Sequence, residues 1–436
     1  MPTSPTLEAR IERALDRVPR QRSLWIALSG GLDSCVLLVL AARVCGQRSR
    51  RLRAIHVHHG LQAAADDFER HCRRLCAQLG ITLEVVRARV DRTSGKGLEA
   101  AARQARYDAF VECLDAGDVL WLAQHRDDQA ETLLLAALRR AGVAGLAAMP
   151  ARREERGLSI ERPLLEVRRS ELEAEARRRG LDWVEDPSNA SREFDRNYLR
   201  HEVVPALEQR WPDAADALAA SARHAGEAAA LLDEYALEDL ARLGGDPARL
   251  ELEGLLSLSR RRQRWLIGLC MRRLGLAPAP GPRLDDLLEQ CHARRDAEVK
   301  VSWPGAEARL WRGALWLMGE GAGDPLEVAE GPWSPGSALV VAGVSMKLPT
   351  TEEETPLPLW LRQRQGGERL RLAGRGSRDL KRLLQEAGVP PWRRAQVLVV
   401  WQGEVCVAAL DAGRGCWIAL AEGWTASPLR ATPGAG

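Results

Sequence analysis

A parallel, doubly wound α/β domain, followed by a helical domain and a small mixed α+β domain, is the architecture the sequence predicts, and three observations carry it. Over about the first 200 residues, short β-branched or apolar runs alternate with amphipathic stretches, the pattern of repeated strand–helix units. From residue 206 to 296 the chain reads as almost continuous helix, rich in Ala, Leu, Glu and Arg and broken near Gly244-Gly245 and Pro278 to Pro282. From Val299 onward short strand-like runs return, separated by Gly- and Pro-containing stretches. These changes place domains at 1–205, 206–325 and 335–436.

The first domain can be read element by element. Ser23 to Leu28 is a strand and Ser34 to Val44 the helix after it; Arg53 to His58 is the next strand. Ala65 to Leu79 is a helix closed by Gly80, a residue that accepts the left-handed conformation at a helix C-terminus. Thr82 to Val90 is strand, Leu98 to Ala116 helix, Asp118 to Ala123 strand, and Asp128 to Arg140 helix. Glu161 to Leu165 and the helix Ser170 to Arg179 extend the alternation. Further on, Ala308 to Leu317, Ala338 to Val341, Val397 to Trp401 and Glu404 to Ala409 read as strands.

Composition narrows the class. At 436 residues, 45% of them hydrophobic, the chain can bury large cores in two or three domains. No stretch approaches the roughly 18 to 20 apolar residues of a membrane span, and Met1 to Arg20 lacks a signal-peptide core. Nine cysteines are scattered, Cys72 and Cys76 being the only close pair, which fits reduced thiols in a cytoplasmic protein better than a disulfide framework or a metal cluster. A net charge of +3 is nearly neutral, but between Arg362 and Arg394 ten Arg and Lys residues face three acids. That local excess predicts contact with phosphates.

The strongest motif is Ser29-Gly30-Gly31-Leu32-Asp33-Ser34, between a predicted strand and helix. Two glycines permit a sharp turn that offers backbone N–H groups to an anion, and the following helix adds its positive end. Ser29 and Ser34 can donate hydroxyls, and Asp33 can hold Mg2+ bridging phosphates. The Lys of a γ-phosphate-transferring loop is absent, as is a dinucleotide G-x-G-x-x-G. A second motif, Gln124-His125-Arg126-Asp127-Asp128-Gln129-Ala130-Glu131-Thr132, starts where the fourth strand ends. Asp128 and Glu131, three apart, share one helix face, and also suit an N-cap with a capping-box partner at N3.

S-G-G-x-D-S resembles the PP-loop of the ATP pyrophosphatases, which cleave ATP between the α- and β-phosphates. Followed by H-x-D-D-x-x-E-T, it resembles the tRNA(Ile)-lysidine synthetases in particular. Leu98 to Tyr107, with Arg103 and Arg106, looks like that family's helix of paired arginines; Glu185 to Asn189 and Arg196 to His201 look like its third block; Leu370 to Trp392 is similar to its C-terminal domain. One departure is Arg140, which stands where the family's glycine-rich turn has its first glycine.

The resemblance implies ATP and Mg2+ as cofactors, free L-lysine as second substrate, and tRNA(Ile) with a CAU anticodon as acceptor. Cytosine O2 would attack the α-phosphate, and the lysine ε-amine would then displace AMP from C2. It implies nucleotide binding by residues 29–34, lysine binding and proton removal by Asp128 and Glu131, and orientation of the base and charge neutralisation by Asn189 and Arg200. Arg103, Arg106, Arg371, Lys381, Arg382 and Arg393 become candidates for tRNA contact, and Trp392 reads as a core residue. Oligomeric state stays open, a homodimer included. Two other readings remain: a 2-thiocytidine-type enzyme, for which the cysteine pairs are missing, and a PP-loop ligase with a small-molecule acceptor, for which no glutaminase domain is visible and which leaves the basic segment without a purpose.

Overall fold

Alternation along a buried strand decides how the first unit is layered. In β1 (Leu24–Ala27), Leu24 and Ile26 face one side of the sheet and Trp25 the other, and all three are buried. The computed structural model describes residues 6–58, 60, 65–90, 98–185, 192–292, 299–326, 331–341, 344–351, 358–426 and 430–431. They form two compact units, Met1–Leu231 and Leu232–Gly436.

In the first unit α1 (Leu7–Arg17) precedes β1, which is followed by α2 (Leu32–Gln47), β2 (Leu52–His58), α3 (Ala65–Leu79), β3 (Thr82–Arg87), α4 (Leu98–Cys113) and β4 (Val119–Trp121). Then come α5 (Arg126–Leu138), α6 (Val143–Leu146), β5 (Arg152–Glu155), β6 (Leu158–Glu161) and α7 (Arg169–Arg179). The six-stranded sheet has the order β3-β2-β1-β4-β6-β5. One core joins α1, α2, α3 and α7 to Leu24 and Ile26; a second joins Tyr107 and Phe110 of α4, and Leu114 just after it, to Trp25, Leu120 and Ile160. Helices thus cover both faces. The chain runs outward from β1 to β3, then returns to place β4 on the other side of β1. That reversal opens a crevice at the carboxyl ends of β1 and β4, the usual ligand position in an open parallel sheet.

The sheet is not wholly parallel. β5 pairs antiparallel with β6 as a hairpin at the edge, where the sequence reading has no strand before Glu161. Arg152–Glu155 is four charged residues with no apolar face, so its composition carries no strand signal. Beyond α7, α8 (Asp195–Tyr198) runs through a π-helical turn (Leu199–Val203) into α9 (Val204–Arg210) and the long α10 (Ala214–Arg242).

The second unit continues with β7 (Arg249–Glu251), α11 (Leu252–Ser257), α12 (Arg260–Arg273) and α13 (Gly281–Gln290). The helical region therefore contains a short strand. β7 joins β8 (Lys300–Trp303), β9 (Ala306–Trp311) and β10 (Ala314–Gly319) in a sheet of order β7-β10-β9-β8, and α12 and α13 pack on it through Leu266, Ile267, Cys270 and Leu287. A five-stranded sheet follows, built on Leu359–Gln363, Val397–Gln402, Val405–Asp411 and Cys416–Leu420, with the helix Leu380–Glu386 against it. Trp392 is core, as its sequence setting suggests: it packs edge-on to Trp311 and Trp316, with centroids 6.0 Å apart in each pair.

Candidate active site

Residues from the ends of β1, β2 and β4 line a cavity of about 940 Å3 with Arg106 and Tyr107 of α4, Arg169 of α7, and Arg200 and His201 beyond α8. The loop after β1 is organised around Ser34. Its Oγ accepts hydrogen bonds from the N–H groups of Ser29 and Gly30, both at 3.2 Å, lies 3.0 Å from Ser29 Oγ, and donates to the Gly31 carbonyl. Ser34 is therefore the internal brace of the loop, and the Gly30 N–H is turned inward. The N–H groups left for an anion are those of the first turn of α2, which have no intrahelical partner. Gly30 has φ +91°, and a Cβ there would stand 3.2 Å from Cys72 Sγ and 3.1 Å from Phe68 Cδ1, so the position demands glycine twice over. Ser29, Gly31, Leu32, Asp33 and Ser34 all line the cavity.

Asp33 occupies the first turn of α2 with one oxygen, Oδ1, buried and without a hydrogen-bond partner. Burial raises the pKa of its carboxyl above the ordinary value, with His125, Arg169 and Arg200 opposing. Across the crevice, His125 Nε2 lies 3.7 Å from Asp33 Oδ2 and 3.5 Å from Asp128 Oδ2, and its Nδ1 lies 3.4 Å from Asp127 Oδ2. Burial by itself would lower the His125 pKa, but the three carboxylates outweigh it and raise it above 6.5. Asp127 is desolvated too, yet His125 and the Arg169 N–H, 2.9 Å away, bring it down to about 2.

The acidic helix begins earlier than its sequence suggests. Its N-cap is His125, and Asp128 sits at N3, accepting a bond from the His125 N–H at 3.0 Å; Asp128 is the capping-box partner and not the cap. Asp128 and Glu131 do share a face, and Arg200 spans both. Its Nη2 is 3.1 Å from Asp128 Oδ1, and its Nε is 2.6 Å from Glu131 Oε1. Arg196, one turn earlier, donates to Glu131 Oε2 at 2.9 Å and to Thr132 Oγ1 at 2.8 Å. Asp128 lines the cavity, whereas Glu131 is buried behind it with both oxygens engaged.

At the other wall, His56 and His58 line the cavity from β2. His56 donates from Nδ1 to the Leu28 carbonyl at 2.8 Å, which ties β2 to the loop, and burial lowers its pKa. Arg106 also lines the cavity; Arg103 stands one turn behind it, against Tyr107. Asn189 lies outside the described residues. Arg371, Lys381, Arg382 and Arg393 belong to the second unit; Arg371 and Arg382 are exposed and paired with Glu422 and Glu386.

Three residues of this network, His125, Asp127 and Arg196, were not among the candidates from sequence. All lie inside quoted motifs; the signal was present, but only the crevice shows that their side chains converge. Arg140 has φ +57° and closes α5, with its N–H bonded to the Ala137 carbonyl and that of Ala141 to the Ala136 carbonyl, both at 2.9 Å. This is a left-handed helix terminus, where glycine costs least.

A PP-loop domain model matches residues 3–207, a TilS substrate binding domain residues 250–316, and a TilS substrate C-terminal domain residues 359–423. The tRNA(Ile)-lysidine synthase of Xanthomonas campestris is 43% identical over 390 residues, 88% of this chain and 89% of that protein. That of Pseudomonas fluorescens is 45% identical over 410 residues, 89% of each. Among solved structures, the U34-tRNA thiolase NcsA of Methanococcus maripaludis matches half of this chain (50%) and 76% of its own, with a TM-score of 0.43 and 18% identity. With three domain matches in order along the chain and relatives aligned over nearly nine tenths of it, the chain belongs to the tRNA(Ile)-lysidine synthase family.

Proposed function

We infer that this chain is an ATP-dependent ligase that converts the wobble cytidine of tRNA(Ile) to lysidine, with free lysine as the amine donor. The observation that carries the reading is the meeting, in one cavity, of a phosphate loop with Asp33 on one side and the His125–Asp128–Arg200 network on the other.

Each residue has a proposed task. The first-turn N–H groups of α2 and the Ser29 hydroxyl bind phosphate oxygens. Asp33 suits a magnesium ion, since its orphan Oδ1 and its raised pKa are what a buried carboxylate shows before a cation meets it. Bound there, the ion would screen the phosphates and favour departure of pyrophosphate. Asp128, the carboxylate exposed to the cavity, binds the lysine ammonium and takes the proton that must leave before the amine can attack. Glu131 acts through Arg200: it fixes the guanidinium that neutralises charge on the reacting phosphate. Asn189 orients the base. Arg103 and Arg106 contact the anticodon region, and Arg371, Lys381, Arg382 and Arg393 the body of the tRNA. The domains 1–205, 206–325 and 335–436 divide the work into chemistry, substrate placement and tRNA grip, in a cytoplasmic enzyme.

Radiolabelled lysine, ATP, Mg2+ and an unmodified tRNA(Ile) transcript test this directly. Wild type incorporates lysine; Asp33→Asn and Asp128→Asn each fall at least about a hundredfold while remaining folded. Release of AMP on adding RNA without lysine incorporation would overturn the ligase assignment and point to another acceptor or nucleophile.

A further inference from the structure

Arg162, just past β6, is a buried guanidinium with no counter-charge among the described residues. It is 3% exposed and donates to two neutral acceptors, Gln124 Oε1 at 2.9 Å and the Pro150 carbonyl at 2.7 Å. Among the described residues it forms no ion pair with a carboxylate. Burial lowers its pKa; the Tyr107 hydroxyl opposes this, and the guanidinium groups of Arg153 and Arg103 reinforce it. Those two arginines each stand 4.8 Å from the centroid of the Tyr107 ring. Arg153 pairs with Glu155, but its Nε is buried and has no hydrogen-bond partner. Three positive groups are thus gathered around one tyrosine, with a single carboxylate among their described ion pairs.

Of the three only Arg162 is buried, and a buried charge is costly unless a partner completes it. Here the partner has a way in. Arg106, Tyr107 and Gln124 line the cavity that holds the phosphate loop, with Arg103 and Arg153 held against Tyr107 and Arg162 against Gln124, so a ligand at that wall meets Arg106 directly and the other charges through it. Held 4.8 Å from the Tyr107 ring centroid, the Arg103 and Arg153 charges stay beside that wall and add to the positive field a phosphate there would meet.

We propose that the cavity wall made by Arg106, Tyr107 and Gln124, with the charges of Arg103, Arg153 and Arg162 behind it, is a second anion subsite, separate from the phosphate loop, which takes a phosphate group. Two sources supply that chemistry at this place: a backbone phosphodiester of the RNA beside the reacting base, or a phosphate of the nucleotide. The proposal rests on the reading that nucleotide and RNA share this cavity.

The full-length chain and its Arg103→Gln, Arg153→Gln and Arg162→Lys variants serve as the test. ATP affinity is measured by equilibrium dialysis without RNA. Affinity for the unmodified tRNA(Ile) transcript is measured without ATP over a range of KCl concentrations. Arg162→Lys keeps the charge but loses the fork; should it fail to fold, the two glutamine variants, whose parent residues are not fully buried, still decide the matter. An RNA phosphate predicts about tenfold weaker tRNA binding and a salt dependence reduced by about one counterion, with ATP affinity unchanged. A nucleotide phosphate predicts about tenfold weaker ATP binding with tRNA affinity unchanged. If neither affinity moves by more than about twofold in any folded variant, the subsite does not exist. Lysine incorporation by wild type is read in parallel, so failure of the ligase reading is seen separately: the ATP arm still tests the arginines when no lysine is incorporated.

Discussion

Glu131 in the first unit and Glu386 in the second each hold two arginines, yet the two arrangements do different things. Glu131 is buried, and Arg196 and Arg200 reach it from one helical stretch, so the trio has one geometry and Arg200 is fixed across Asp128. Glu386 is exposed; Arg375 and then Arg382 hold its pKa below the ordinary value, and both arginines stand at the surface. In the interior, water cannot replace a lost partner, so the pair enforces position. At the surface water and salt compete for the same charges, and the arginines can exchange a carboxylate for a phosphate. The same chemical pair therefore builds a site in one place and presents charge in the other.

The widest separation between the two should come from removing each carboxylate. Glu131→Ala leaves two guanidinium groups in a poorly solvated place and is expected to cost about 3 kcal/mol in urea unfolding, with lysine incorporation lost even where the chain is folded. Glu386→Ala is expected to leave the unfolding midpoint unchanged and to strengthen tRNA binding slightly. Equal destabilisation by the two variants would show that burial is not what distinguishes them.

A smaller effect concerns the end of the helix that carries Asp128 and Glu131. Arg140 sits at φ +57°, where a Cβ is strained. Arg140→Gly should stabilise the protein by up to about 1 kcal/mol in the same urea experiment, with activity retained. A loss of stability would mean that the arginine side chain makes up for its backbone.

The smallest effect is a pH dependence. The His125 pKa is raised in the folded state, so its contribution is fully present below 6.5 and is lost as pH rises through the folded pKa. Asp33, also raised, acts in the same direction in the acidic range above 3.8. Without nucleotide or metal, the melting temperature of wild type should decline as pH is raised above about 6.5, and His125→Gln should flatten that decline. Parallel curves would remove the His125 charge from the folded-state balance.

Much of the fold was legible because alternation of apolar runs with helical stretches is a local property. β1, α2, β2 and α3 lie within a few residues of where the pattern sets them. β5 was not legible, since four charged residues become a strand only when β6 offers them hydrogen bonds. The start of α5 was misplaced by two residues because Asp128 suits both N-cap and N3, and the choice falls to His125, whose side chain is held by three carboxylates. Within the site, Ser29 to Ser34 and Asp128 to Glu131 could be picked out by spacing. That Ser34 braces the loop, and that Glu131 stands behind Asp128, could not.

By itself the sequence determined the chemistry available: a glycine turn before a helix, a pair of carboxylates one helical turn apart, and a basic segment late in the chain. These follow from local sterics and from which atoms each side chain carries. Tertiary structure decided which groups meet. The return of the chain to put β4 beside β1 brings Asp33 to His125, and the turn after α8 brings Arg200 to Asp128. Which carboxylate is exposed to the cavity and which is sealed behind it, and which arginine is buried with only neutral acceptors among the described residues, depend on burial. Burial belongs to the packed chain as a whole, because it is set by residues far apart in sequence excluding the same water.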